Sequence, residues 1–417
     1  MAKLIIEGKK RLSGEVRIGG SKNSSVALIP AALLGEGPST LDNVPLIRDV
    51  QVFAQILKDL GASVTLDRNT MTVAPNGFSS HVAPYDLVRK LRASYYLMGV
   101  LLAKFGKAEV GLPGGCDIGP RPIDQHLKGF RALGAEVTVE GGVVKLFAKK
   151  LTGAPVYLDI PSVGATINIM LAASLAEGTT VIENAAKEPH VVDLANFLNA
   201  MGGRVLGAGT DVIRIKGVKR LHGAPHSVIP DDMEAATYMM AAVATGGDVE
   251  VKGVITKHLE PVTAKLKEAG AVIEQNGDYI RVIGPERPNP VNVKTLPYPG
   301  FPTDAQQPLV AVLARSTGVS VVQESMYDNR LGYVSELIKM GAKIKVEGRT
   351  AIVEGVPRLV GAPVTTNDLR AGASLVVAGL SAEGTTEIYG LEIIDRGYEL
   401  MEEKLSALGA KVFRVEN

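Results

Sequence analysis

The sequence predicts an α/β protein assembled from six copies of one unit of about 70 residues. Three observations predict it. An apolar residue, a glycine and a small residue recur as Leu60-Gly61-Ala62, Leu133-Gly134-Ala135, Met201-Gly202-Gly203, Ala269-Gly270-Ala271, Met340-Gly341-Ala342 and Leu408-Gly409-Ala410, each followed by a strand-like run. A second glycine series lies upstream, at Gly37, Gly106, Gly178, Gly247, Gly318 and Gly384, and in both series the spacing stays between 66 and 73 residues. Finally, each copy repeats the same succession of hydrophobic patterns, so each is a βαβαββ-type unit.

A copy opens with a charge-poor run, such as residues 165–176, 233–245 or 371–382. These runs are apolar nearly all round, as a buried helix is, and they end at the upstream glycine, which suits a helix C′ position. A short strand follows, for example Thr179–Glu183 or Val319–Gln323. The next helix is amphipathic. In the first copy Val50, Phe53, Leu57 and Leu60 form its apolar stripe, and Asp49, Lys58 and Asp59 lie off it. The helix stops at the second glycine. A strand pair closes the copy, as in Lys343–Glu347 and Thr350–Glu354 around Gly348-Arg349.

The sixth copy ends at Val412-Phe413-Arg414-Val415, short of its second strand. Other copies run on into Lys150-Leu151-Thr152-Gly153, Arg220-Leu221-His222-Gly223 or Arg358-Leu359-Val360-Gly361, and the N-terminus carries the same phrase as Arg11-Leu12-Ser13-Gly14. Residues 1 to about 20 are therefore expected to supply the strands the sixth copy lacks. The result is either one closed ring of six or two lobes of three. Periodicity does not choose between them.

Composition narrows the function. A net charge of +1 argues against a general nucleic-acid binder, and 5% aromatics without tryptophan leave no base-stacking platform. The single cysteine, Cys116, excludes an intrachain disulfide and a cysteine-based zinc site. No run is a good signal peptide or membrane span, so a cytoplasmic protein is expected.

The buried helices begin at Ser21-Lys22-Asn23, Arg92-Ala93-Ser94, Ser162-Val163-Gly164, Asp231-Asp232, Thr303-Asp304 and Asn367-Asp368-Leu369-Arg370. Ser162, Asp231 and Asn367 suit N-caps, and an Asp304→Asn change is expected to keep a cap. Lys22, Arg92 and Arg370 do not suit that position, because cations there oppose the helix dipole. Cations gathered at helix N-termini make an anion site, above all for phosphate. Cys116 lies among four glycines and three prolines between Gly111 and Pro122, so it belongs to a surface loop, and Arg121 nearby favours its thiolate. His126 and His190 lack metal-ligand spacing, and no phosphate-loop or dinucleotide glycine motif is present.

Four of these segments, Gly19-Gly20-Ser21-Lys22-Asn23, Gly114-Gly115-Cys116 leading to Arg121-Pro122-Ile123-Asp124, Phe301-Pro302-Thr303-Asp304 and Asn367-Asp368-Leu369-Arg370, occur in the order found in the UDP-N-acetylglucosamine 1-carboxyvinyltransferase family of enolpyruvyl transferases. The chain resembles that family over essentially its whole length. It departs at Asp117 and at Leu331-Gly332-Tyr333, which is less bulky than the family pattern.

The resemblance implies an inside-out α/β barrel in two lobes of three repeats, residues 21–230 and residues 1–20 with 231–417, around an active-site cleft. It implies transfer of enolpyruvate from phosphoenolpyruvate to the sugar 3-hydroxyl by addition and elimination, the step that opens peptidoglycan synthesis. By resemblance Asp304 is the base and Cys116 the acid, open to alkylation by fosfomycin. Lys22, Arg121 and Arg396 clamp phosphate, and Arg92, Arg330 and Arg370 complete a cationic wall. Asn23, Glu188, Asp231 and Asp368 match polar cleft positions, and Met326 matches a substrate contact. The main chain of Pro122, Ile123, Asp124 and Gln125, and of Ser162, Val163 and Gly164, holds the uridine diphosphate. No metal, cofactor, nucleic acid, membrane insertion or obligate protein partner is implied. The alternatives are the sister transferase acting on shikimate 3-phosphate and a non-catalytic paralogue that binds the nucleotide sugar.

Overall fold

Helices Asp232–Thr245, Thr303–Leu313 and Leu369–Ser381 pack against one another. None has a polar face to offer water, and beyond their first turns their residues are buried except Thr245 at the end of the first helix. Each helix also packs on a sheet of its own. The strands of those sheets alternate, as in Val319–Gln323, where Ser320 and Val322 are buried and their neighbours exposed. The computed structural model describes residues 2–112 and 122–416. They form two compact units, one of residues 20–112 and 122–229, here the first unit, and one of residues 2–19 with 230–416, the second. Each unit has its own hydrophobic core.

The described residues form six small sheets, three in each unit, and five of the six share one strand pattern. In these five an edge strand of two to five residues runs parallel to its neighbour, and two more strands follow antiparallel. The sheet of Lys107–Gly111, Val143–Phe147 and Glu136–Glu140 lacks that edge strand, and a single parallel bridge between Val82 and Glu109 stands in its place. All six sheets are open, so no closed barrel forms among the described residues. Four strands with one wet face are enough to cover one helix.

The strands Thr179–Glu183, Val319–Gln323, Lys343–Glu347 and Thr350–Glu354 lie where the sequence puts them. The downstream glycine series has one physical cause: Gly61, Gly134, Gly202, Gly270, Gly341 and Gly409 all hold φ between 87° and 97°, the left-handed turn that ends the amphipathic helix. The upstream series is less uniform. Gly106 is a left-handed C-cap, but in the other copies the buried helix ends short of the glycine.

The N-terminal strands divide their partners. Lys3–Glu7 enters the sixth copy's sheet between Thr385–Tyr389 and Lys411–Val415. Ser13–Arg17 instead runs parallel to Asp248–Lys252 of the fourth copy, so residues 1–20 do not all complete the sixth. The phrase at residues 150–153 leads into the third copy's sheet and that at 358–361 into the sixth's, whereas 220–223 leads back into the first copy's sheet and 11–14 into the fourth's.

Candidate functional site

In the second unit, three helix starts bring charges together. Pro302 occupies the N-cap of Thr303–Leu313 and Asp304 lies in the first turn, so Asp304 is not the cap expected from the sequence. Its Oδ1 accepts from Arg330 Nη2 at 2.8 Å and its Oδ2 from Arg370 Nε at 3.1 Å. The arginine side chains are each 3% exposed and the aspartate 29%. Desolvation alone would push the Asp304 carboxyl up, but the two guanidiniums outweigh it and hold the group well below the usual carboxylate range. Arg370 also lies over the Tyr398 ring at 5.4 Å, and its Nη1 is buried with no hydrogen-bond partner among the described residues.

Asp231 caps Asp232–Thr245, accepting from the Glu234 N–H at 2.7 Å. Desolvation, with the Asp231 charge, pushes neighbouring Asp232 up to about 7, against the pull of Arg370. At the third helix the cap is Asp368, not Asn367. Its carboxylate accepts from the N–H groups of Arg370 and Ala371 at 3.0 and 2.9 Å. The reason is local: Thr366 Oγ1 bonds both the carbonyl and the N–H of Asp368, which delays the helix start by one residue.

In the first unit, Ser21 caps the helix Lys22–Ala31 and places Lys22 and Asn23 on its first turn. Lys22 Nζ lies 3.2 Å from Asp49 Oδ2. Asp49 opens Arg48–Asp59 and is 2% exposed, although its place off the apolar stripe marks it as a solvent residue. Ser24, on the same turn as Lys22, donates to Asp193. Asp193 belongs to the helix Pro189–Ala200, which starts at Glu188 and packs on the Lys22 helix.

Two further helix N-termini meet in this unit. Asp124–Ala132 follows Pro122 and Ile123, and Val163–Ala173 follows its cap Ser162. His126 lies between them. A Cβ placed on Gly164 would stand 2.9 Å from His126 Nε2, so only glycine fits there. His126 Nδ1 accepts from Asn168 Nδ2 at 2.9 Å, and the same Asn168 fixes its orientation by donating to the Tyr95 carbonyl and accepting from the Gly99 N–H. Burial, with the charge of Arg92, drives the imidazole down to about 3. Arg92 itself lies over Tyr95 at 6.0 Å. Gln125 spends its amide on Asp124 and Asp159 at 2.9 Å, leaving main chain, not side chain, to face a ligand here.

The family model described as EPSP synthase (3-phosphoshikimate 1-carboxyvinyltransferase) matches residues 6–405. A protein of Caldanaerobacter subterraneus subsp. tengcongensis named UDP-N-acetylglucosamine 1-carboxyvinyltransferase 3 is 56% identical, over 100% of both chains. The chain belongs to the UDP-N-acetylglucosamine 1-carboxyvinyltransferase family of enolpyruvyl transferases. A second member of this family, UDP-N-acetylglucosamine 1-carboxyvinyltransferase 2 of Bacillus subtilis, is 54% identical over 99% of this chain and 97% of its own. Among solved structures, the enolpyruvyl transferase NikO of Streptomyces tendae aligns with TM-score 0.89 and 26% identity over 99% of this chain and 98% of its own.

For a carboxyvinyltransferase chain, the described residues group the expected positions into three sets. They are Asp304, Arg330 and Arg370 with Asp231 and Asp368; Lys22 and Asn23 with Glu188; and Arg92 with Pro122, Ile123, Asp124, Gln125, Ser162, Val163 and Gly164. Met326 follows Glu324, to which its N–H donates. Arg396 lies half-buried just after the helix Leu391–Ile394. Cys116 and Arg121 fall outside the described residues. Asp49, Asp193, His126 and Tyr398 were not legible as site neighbours. An acid at the first turn of an amphipathic helix looks like a dipole partner, and only tertiary packing turns Asp49 toward Lys22. Among the described residues, no group of three or more His, Cys, Asp or Glu is placed to hold a metal ion, and no helix is long and apolar enough to cross a membrane.

Proposed function

We propose that this chain transfers the enolpyruvyl group of phosphoenolpyruvate to the 3-hydroxyl of UDP-N-acetylglucosamine and releases phosphate, the step that commits the sugar to peptidoglycan. The observation that carries this is the 56% identity, from end to end, with a relative of that name. In the mechanism, Asp304 takes the proton of the sugar hydroxyl, which attacks C2 of phosphoenolpyruvate while Cys116 protonates C3. The resulting ketal loses phosphate and a methyl proton, restoring the vinyl group. Arg330 and Arg370 keep Asp304 ionised and so able to accept. The orphan Nη1 of Arg370 is a ready donor to an anionic oxygen.

Lys22, held by Asp49, is a phosphate-contact position, as are Arg121 and Arg396, and Arg92 adds positive charge. The two helix N-termini that follow Pro122 and Ser162 turn their first-turn main chain toward the uridine diphosphate. Asn23, Glu188, Asp231, Asp368 and Met326 are contact positions around these groups. Guanidinium and ammonium groups supply the charge compensation, so no cofactor is needed. The architecture fits two lobes of three repeats each, supported by three small sheets per unit. Phosphate release from phosphoenolpyruvate should occur with UDP-N-acetylglucosamine and not with shikimate 3-phosphate. Release with shikimate 3-phosphate would point to the sister activity, and release with neither to a binding paralogue.

A further inference from the structure

Glu324 is 1% exposed, yet it carries a carboxylate. Burying such a group is costly unless every lone pair is used. Here donors converge on it. Oε1 accepts from Thr295 Oγ1 at 2.9 Å and from the N–H groups of Met326 and Tyr327 at 2.7 and 3.3 Å. Oε2 accepts from Thr303 Oγ1 at 2.8 Å.

These bonds reach two segments that meet again at Asp304. Thr303 is the first residue of the helix whose next residue is Asp304. Met326 and Tyr327 begin the segment that delivers Arg330, which lies over the Tyr327 ring at 5.4 Å and ion-pairs with Asp304. Gln307, with its amide oriented to satisfy both neighbours, bridges the Thr303 carbonyl at 3.2 Å and Arg330 Nε at 2.6 Å. Both halves of the Asp304–Arg330 pair therefore hang from one buried carboxylate.

We propose that Glu324 is a positioning residue for the transfer, setting Asp304 through Thr303 while it holds the Met326–Arg330 segment in register. This rests on the function proposed above, with Asp304 as base. An apolar side chain would fill the same space at lower electrostatic cost, but it would leave the helix start and the segment unlinked.

The test uses the full-length protein and reads kcat, KM for each substrate and the thermal midpoint. Thr303→Val removes the donor at nearly constant volume and should lower kcat roughly tenfold while KM for phosphoenolpyruvate stays within about twofold. Thr303→Ser, which restores the hydroxyl, should recover most of that loss. Glu324→Gln should lower kcat and also raise KM for the nucleotide sugar, because it disturbs the Met326 N–H as well. In an Asp304→Asn background, Thr303→Val should have little further effect. Equal turnover in Thr303→Val and Thr303→Ser would overturn the proposal, and so would a Thr303→Val loss that multiplies in full onto a slow Asp304→Asn. An Asp304→Asn variant as fast as the wild type would instead sink the base assignment, and the positioning role with it.

Discussion

The carboxylate of Asp49 lies 3.2 Å from the ammonium nitrogen of Lys22, and 3% of its side chain is exposed against 15% for the lysine. A lysine in the first turn of a helix is repelled by the dipole there. Asp49, delivered from the first turn of a different helix, offsets that repulsion and aims the ammonium. Asp49→Asn keeps the shape and removes the charge. It should lower kcat/KM for phosphoenolpyruvate by about 10- to 100-fold, because a misaimed clamp loses transition-state stabilisation. Steady-state kinetics check this, and wild-type kinetics in the variant would show that the pair is only structural.

Asp304→Asn should cost about 10²- to 10⁴-fold in turnover if the carboxylate is the base. The structure adds a stability effect that a capping role would not: Arg330 and Arg370, both buried, lose their shared counter-charge. The pH dependence follows from the direction of the shift. A carboxyl held low in the folded state stabilises it above the unfolded pKa of about 4, and that contribution is lost as pH falls through the folded value. Denaturant titrations should show a gap between wild type and Asp304→Asn that is full and constant above about pH 4 and closes as pH falls below it. A gap that stays undiminished well below about pH 4 would contradict the ion-pair account.

His126 shifts in the other chemical sense. Its imidazole is driven to about 3, so the unfolded chain binds the extra proton first as pH falls below the ordinary value of about 6.5. Stability should be full above that pH and should decline toward pH 4 by at most about 1.4 kcal/mol per unit. His126→Asn should flatten the slope, as urea titrations at several pH values would show. Nitrogen NMR should find a neutral ring with its proton on Nε2, since Nδ1 accepts from Asn168. A charged imidazole at pH 6 would contradict this.

The contrast between these residues shows where sequence stops being informative. The strand pairs and the glycine turns were legible because each depends on a local pattern: alternation for Lys343–Glu347 and Thr350–Glu354, a left-handed φ for Gly341. Lys22 and Arg370 stand out in the sequence because each breaks the rule for helix starts. Asp49, Asp193 and Glu324 do not, since partners that bury them, Lys22, Ser24 and Thr303, lie on other elements. The shift of the cap from Asn367 to Asp368 depends on one threonine hydroxyl, a detail finer than the pattern that located the helix.

Cys116 is the only thiol in the chain, so its chemistry can be read by intact mass. A phosphonate epoxide such as fosfomycin should add once per chain, faster with UDP-N-acetylglucosamine present, and peptide mapping should place the adduct at Cys116. Cys116→Ser should lose the adduct and most turnover, a hydroxyl being a far weaker acid. An unlabelled native protein, with Cys116→Ser fully active, would remove the thiol from the mechanism.

The most direct measurement is the structure of the product formed in deuterium oxide from phosphoenolpyruvate and UDP-N-acetylglucosamine. Addition followed by elimination passes through a methyl group that takes one solvent hydron at C3 and then loses one. The account predicts an enolpyruvyl ether on the sugar 3-oxygen, deuterium in its vinyl methylene, and one phosphate released for each ether formed. A vinyl group free of deuterium, an ether at another oxygen, or no ether at all would contradict it.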